Sequence, residues 1–192
     1  MVLIHGVGSN LHIWDPVIPA LSERFEVIAI DVPGYGDSQP LPDGEEPSIP
    51  ALADAIEREL AHIGIRKAHL VGNSMGGWIS FELARRGVAR TVVAISPAGA
   101  YTTSEGRRES LTLAAHKLGA QASAPLGRLP YLLPQMRSVL LRPMFGRPRN
   151  VSPEAAAYSC RKLADSPSFT ATRRWMRSHP PEGLDEISCP VL

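Results

Sequence analysis

Cysteine is scarce in this chain: Cys160 and Cys189 are the only two in 192 residues. They form neither a disulfide framework nor a metal-spaced pair, and they read as ordinary intracellular thiols. An excess of either charge is also lacking, with 20 basic against 19 acidic residues and a net charge of +1. That balance gives no electrostatic reason to expect nucleic acid or an anionic membrane as partner. No apolar run approaches the length of a membrane span, and no basic-then-apolar leader precedes the first strand. The expectation is a cytoplasmic globular chain with no cofactor and no metal site, acting on a small molecule. What it does have is 44% hydrophobic residues, enough for a substantial core in one domain or one domain with an insertion.

Strand and helix signals alternate through the first hundred residues. Met1 to His5 is a strand running into the loop Gly6-Val7-Gly8-Ser9-Asn10, and Asp15-Pro16 marks a helix start, with the aspartate as N-cap, that ends near Arg24. Phe25 to Ile30 is a second strand, closing on Asp31 and a turn-rich stretch to Ser38. Leu52, Ile56, Leu60 and Ile63 recur at helical spacing, so residues from about 51 to 63 form an amphipathic helix stopped by Gly64. Lys67 to Val71 and Thr91 to Ile95 are further buried strands, with a helix from Met75 to Arg86 between them. This alternation predicts a mostly parallel α/β sheet covered by helices on both faces, whose ligands bind beyond the carboxyl ends of the strands. His5-Gly6, Asp31, Ser74 and Ser96 all fall at that edge.

The stretch between the third strand and its helix carries the chemistry. Gly72-Asn73-Ser74-Met75-Gly76 fits Gly-x-Ser-x-Gly, a sharp strand-to-helix turn with serine at its apex. Glycine is needed at 72 and 76 because a Cβ there would clash, and the helix N-terminus behind Ser74 offers free N–H groups to a developing oxyanion. A rival pattern lies earlier: Gly6-Val7-Gly8 after a strand, with Asp31 ending the next one, imitates a dinucleotide-binding fingerprint. It fails because Leu11 occupies the third glycine position, and because the following helix starts too late to face a pyrophosphate.

Beyond Gly99 the strand signal stops. Short helical stretches at about 107–118, 134–141, 153–164 and 169–178 make 100–186 a helical insertion, read as a lid, and 187–192 reads as the start of another core strand. The domain expectation is therefore 1–99 as the first part of a core, 100–186 as the lid and 187–192 as the core resuming. The arginines at 107, 108, 137, 142, 147, 149, 173, 174 and 177 read as a solvated face.

Three motifs in order, HGVG at 5–8, DVPGYGDS at 31–38 and GNSMGG at 72–77, resemble the α/β-hydrolase fold superfamily. Within it the chain resembles the lid-bearing serine hydrolases: esterases, cofactor-free haloperoxidase-like enzymes and carbon–carbon bond hydrolases, toward which GNSMGG leans. The resemblance implies Ser74 as the catalytic nucleophile, the backbone N–H groups of Val7 and Met75 as oxyanion donors, and Gly6 and Asn73 beside the substrate. Serine at 74 argues against the dehalogenase and epoxide-hydrolase branches, which place aspartate at the elbow. His5 is expected to order backbone and Asp31 to bond loop amides, while Trp14 and Trp78 pack.

The resemblance also implies a triad acid and histidine that no residue here supplies. The position before the lid reads Ser96-Pro97-Ala98-Gly99, and Glu105 is too far along. His12, His62, His69, His116 and His179 each lie in elements that keep them from the elbow. The expectation is a fragment of a longer hydrolase, with acid and histidine beyond Leu192. The competing expectation is a non-catalytic ligand-binding or interaction protein on the same fold.

Overall fold

The computed structural model describes residues 1–100, 103–142 and 145–192, with the side chains at 103–107 and at 109 and 110 outside the description. Glu105 and Arg107 therefore lie outside the described side chains. The chain divides into two compact units, one of Met1–Tyr101 with Pro167–Leu192 and the other of Thr102–Ser166.

The first unit is built on four parallel strands: β1 (Val2–Ile4), β2 (Ile28–Ile30), β3 (Ala68–Asn73) and β4 (Ala89–Ile95). Their order is β2-β1-β3-β4. β3 is therefore central, with Ile4 opposite Gly72 on one side and Val71 opposite Val93 on the other. All three residues of β1 are fully buried. The last residues extend the sheet, because Val191 bridges Val92 in parallel and Leu192 exchanges backbone hydrogen bonds with Val92 and Ala94.

Helix α2 (Ile49–His62) starts where the Ser48 hydroxyl accepts the Ala51 N–H, and it turns Leu52, Ile56 and Leu60 inward. It packs on α3 (Met75–Arg85), which itself lies against β1, β3 and β4. Arg86, at the end of α3, donates to Asp54 and Glu57 of α2 and to Glu82, fastening the two helices at their rim.

Two expectations need correction in this unit. Asp15 does not cap a helix: Asn10 caps a 3-10 turn over Leu11–Trp14, and α1 (Ile18–Ser22) begins only after Val17. The Asp15 carboxylate is taken instead by His12 Nδ1 at 2.9 Å, and its own N–H donates to the His12 carbonyl. The second strand begins at Ile28 rather than Phe25, because the Phe25 N–H still bonds the Leu21 carbonyl of the preceding helix.

The second unit is helical: α4 (Thr103–Ser123), α5 (Pro134–Leu141) and α6 (Pro153–Asp165), with α4 and α6 as its main packed pair. α7 (Phe169–Ser178) belongs to the first unit, so the chain rejoins that unit ahead of the 186 read from the sequence. The cause is packing: Phe169 and Thr172 are fully buried, and Trp175 lies 5.8 Å from Trp78 of α3, centroid to centroid. Among the arginines expected to be solvated, Arg137 departs. It is buried in the second unit, where its guanidinium donates to the carbonyls of Tyr131 and Leu132 at 2.6 and 3.2 Å.

Candidate active site

Ser74 sits at the junction of β3 and α3 with φ 51° and ψ −115°. Only Ser74 and Ser96 have positive φ among the described non-glycine residues. Such a conformation costs about 1–3 kcal/mol and persists only where the surroundings over-determine it. The surroundings here do so. The Ser74 N–H donates to the Ile95 carbonyl at 3.0 Å, and its carbonyl accepts from Gly77, Trp78 and Ala98 at 3.0, 3.2 and 3.0 Å.

Gly72 and Gly76 have no room for a side chain. A Cβ at 72 would lie 2.1 Å from the Gly76 carbonyl oxygen, and one at 76 would lie 2.1 Å from that of Ile4. The helix therefore starts pressed against the sheet, and the turn lifts Ser74 to a half-buried position at the strand ends.

The first loop closes on the same point. Gly6 to Ser9 is a turn closed by the Ser9 N–H on the Gly6 carbonyl at 3.1 Å, with Gly8 at φ 73°, the third-residue geometry of a type II turn. A Cβ at Gly6 would come within 3.2 Å of Ser74 Cβ and 3.1 Å of Asn73 Oδ1, so the loop abuts the elbow. Val7 follows, buried, and among the described residues no acceptor takes its N–H or that of Met75.

His5 and Asp31 hold this loop without facing the elbow. The Val32 N–H donates to His5 Nε2 at 3.1 Å, which fixes the neutral tautomer whose Nδ1–H donates to the Gly6 carbonyl at 2.8 Å. Full burial lowers its basicity, against smaller opposing effects from the Gly6 carbonyl and the Asp31 carboxylate. Asp31 accepts the Leu11 N–H at 2.7 Å and the Asp37 N–H at 2.9 Å. Trp14 and Trp78 are buried packing residues.

Asn73 is more engaged than its expected place beside substrate implies. Its amide nitrogen donates to the Ile95 carbonyl at 3.2 Å. That carbonyl also takes the Ser74 N–H, so Asn73 ties the elbow to the end of β4. The stretch from Ile95 to Ala98, read from sequence as a strand end at the ligand-binding edge that lacks an acid, is also part of the support. Its signal was the proline at 97, which packs where a Cβ on Gly77 would fall at 3.0 Å.

Four of the remaining histidines are engaged or buried away from a contact with Ser74 among the described residues. His12 bonds Asp15, His69 bonds Thr91 at 2.9 Å, and His116 is buried in the helical unit. His179 stacks on Trp175 at 4.3 Å and bonds its carbonyl. Among the described residues, no group of three or more His, Cys, Asp or Glu side chains could hold a metal ion. No helix among them is long and apolar enough to cross a membrane.

Comparison with known proteins agrees with the fold. The family model described as alpha/beta hydrolase fold matches residues 1–184. An epoxide hydrolase of Mycobacterium tuberculosis is 57% identical over 51 residues, which are 27% of this chain and 24% of that protein. A pimeloyl-(acyl-carrier protein) methyl ester esterase of Aeromonas hydrophila is 42% identical over 84 residues, 44% of this chain and 31% of that one. The chain thus spans about a quarter to a third of these curated relatives. Among solved structures, a membrane phospholipase A aligns with TM-score 0.67 and 26% identity, covering 99% of this chain and 60% of that one. E-2-(acetamidomethylene)succinate hydrolase aligns with TM-score 0.66 over 100% of this chain and 70% of its own, and at 24% identity it bears on the fold alone.

Proposed function

The chain belongs to the α/β-hydrolase fold family, and from that premise we propose that it is a serine hydrolase acting through an acyl-enzyme on a small ester-like or activated carbon–carbon substrate. The carrying observation is Ser74 held at positive φ between β3 and α3, with its hydroxyl in no hydrogen bond to the helix it begins.

In this reading Ser74 Oγ attacks the substrate carbonyl carbon, and the oxygen that becomes an alkoxide is received by the N–H groups of Val7 and Met75. Two preorganised donors stabilise such a transition state without reorganising, and loss of one typically slows catalysis by about 10²–10³. Collapse of the tetrahedral adduct expels the leaving group with a proton, and water then hydrolyses the acyl-serine and restores Ser74. A hydroxyl at the elbow, rather than a carboxylate, favours acyl transfer over epoxide opening. The imidazole and carboxylate that move the protons are assigned to the part of the relatives' length that this chain does not span.

The test is labelling by a fluorophosphonate probe with mapping of the adduct, alongside hydrolysis of p-nitrophenyl butyrate. In a protein that includes the assigned imidazole and carboxylate, the expected adduct is on Ser74, and Ser74→Ala lowers turnover by at least about 10³-fold. An adduct on a different serine, or turnover unchanged in the alanine variant, would overturn the assignment.

A further inference from the structure

The near-neutral charge of the whole chain conceals a division between its two units. Residues 102–166 hold 10 Lys and Arg against 4 Asp and Glu, whereas the rest of the chain holds 10 against 15. Between Glu109 and Glu154 there is no acidic residue, and six of the bases lie there. The helical unit therefore attracts anions that the other unit repels, a contrast that the balance of the whole sequence does not reveal.

The same acid-free stretch turns apolar side chains to solvent. Leu126, Leu129, Leu132, Leu133, Met136 and Val139 are 40–72% exposed. They run through two 3-10 turns, Ala124–Leu126 and Leu129–Tyr131, and into α5. Tyr131, Arg137 and Leu141 are buried in the same stretch, so the segment has an inner and an outer side, and the six apolar residues are on the outer one. Single exposed leucines are ordinary, but this concentration within fourteen residues marks a contact surface.

Exposed guanidinium groups accompany them. Arg128 lies within the apolar run, and Arg142, Arg147 and Arg149 follow it, all exposed. Arg149 Nε donates to the Ser138 hydroxyl at 3.1 Å, which places that side chain beside α5. Arg128 meets Glu154 at 3.8 Å, an exposed pair that holds it weakly. Arginines alone would suit nucleic acid or an acidic protein. Leucines interleaved with arginines, in a stretch without carboxylates, fit the boundary of an anionic bilayer, where acyl chains take up the apolar groups and lipid phosphates receive the guanidinium groups.

We infer that the helical unit docks on an anionic lipid surface, with Leu129, Leu132, Leu133 and Met136 entering the headgroup–acyl boundary and Arg128, Arg142, Arg147 and Arg149 meeting lipid phosphates. The docking is peripheral, since no helix among the described residues is long and apolar enough to cross a membrane. The inference is independent of the chemistry at Ser74.

The experiment sediments the full chain with vesicles of phosphatidylcholine alone and of phosphatidylcholine with an equal part of phosphatidylglycerol. The expected result is saturable binding to the mixed vesicles, at least about tenfold weaker on phosphatidylcholine, that falls as salt is raised because the charged contacts are exposed. Arg142→Gln and Arg147→Gln each weaken it about fivefold, the effect of one charge near such a surface. Leu133 is the N-cap of α5, and its side chain makes no capping bond. Leu133→Asn therefore supplies a favoured cap, keeps the charge and removes one apolar group, so a weakening of about tenfold reads insertion apart from electrostatics. Ser74→Ala binds as the parent does, which separates this face from the elbow. The inference is overturned by no binding to the mixed vesicles, by equal binding to phosphatidylcholine alone, or by a folded Leu133→Asn chain that binds as tightly as the parent. The last result would mark the face as one for an acidic protein or nucleic acid.

Discussion

The glycines of the elbow and those of the helical unit live under opposite constraints. At 72 and 76 an added Cβ would sit 2.1 Å from a backbone oxygen, whereas at 119 and 146 it would meet nothing within 4 Å. At the elbow, backbone crowds backbone and residue identity is dictated. In the helical unit, helices pack through side chains that have alternatives, so many sequences would serve equally well. Motifs therefore arise in one region and not in the other.

The sharpest break of that contrast would be a tolerated methyl group at the elbow. Gly76→Ala places Cβ against the Ile4 and His5 carbonyls, at 2.1 and 2.7 Å, and neither belongs to a flexible side chain that could step aside. The expected loss is about 3 kcal/mol or more, at the upper end of overpacking costs, seen as a lowered urea midpoint. A variant within 1 kcal/mol of the parent would show that the helix start can slide away from the sheet (about that much is what surface changes rarely exceed).

Buried histidines give a second contrast, because His5 in the first unit is hydrogen-bonded on both nitrogens while His116 in the second bonds the Leu140 backbone. Both have pKa values lowered from 6.5 chiefly by burial. Below pH 6.5 the unfolded chain takes up a proton that the native ring refuses, so stability falls as pH falls, and it levels off only at the folded value. Each histidine contributes a slope of up to about 1.4 kcal/mol per pH unit. Denaturant melts between pH 7.5 and 5 on the parent, His5→Gln and His116→Leu are expected to show a shallower fall in each variant than in the parent. An unchanged slope in His116→Leu would mean that its ring protonates freely in the native state.

What the sequence disclosed follows the same division. The parallel order of the sheet, the central β3 and the position of Ser74 were legible because Gly72, Ser74 and Gly76 answer to one backbone geometry that few residues fit. The bounds of α5 and α7 were legible from prolines and amphipathic spacing. The placement of α7 with the first unit was not, since it rests on Phe169, Thr172 and Trp175 finding partners distant in sequence. The start of α1 was misread because Asp15-Pro16 is a sound local cap signal, and His12 competed for the carboxylate. The clamp from Ile95 to Ala98 was missed because it works through backbone carbonyls and amides, which no residue type advertises.

That clamp can be weakened without touching Ser74. Asn73→Ala removes one donor to the Ile95 carbonyl and leaves the Ser74 N–H still bonded there. A cost of about 1 kcal/mol in stability is expected, the net value of one such bond. The elbow would also be less firmly held, so fluorophosphonate labelling of Ser74 should slow more than the stability change alone explains. Labelling at the parental rate would leave Asn73 without a part in holding the elbow.

The smallest effect expected has the opposite sign. Gly119 lies inside α4, where glycine is entropically unfavourable, and its missing Cβ has open space around it. Gly119→Ala should therefore stabilise the chain by roughly 0.5–1 kcal/mol, through a less disordered unfolded state and a better helix former. Thermal melts of Gly76→Ala and Gly119→Ala measured side by side put the two regions on one scale, because the chemical change is identical and only the neighbours differ. If both variants were destabilised alike, the open space at 119 would be closed in solution, and the helical unit would be packed as tightly as the elbow.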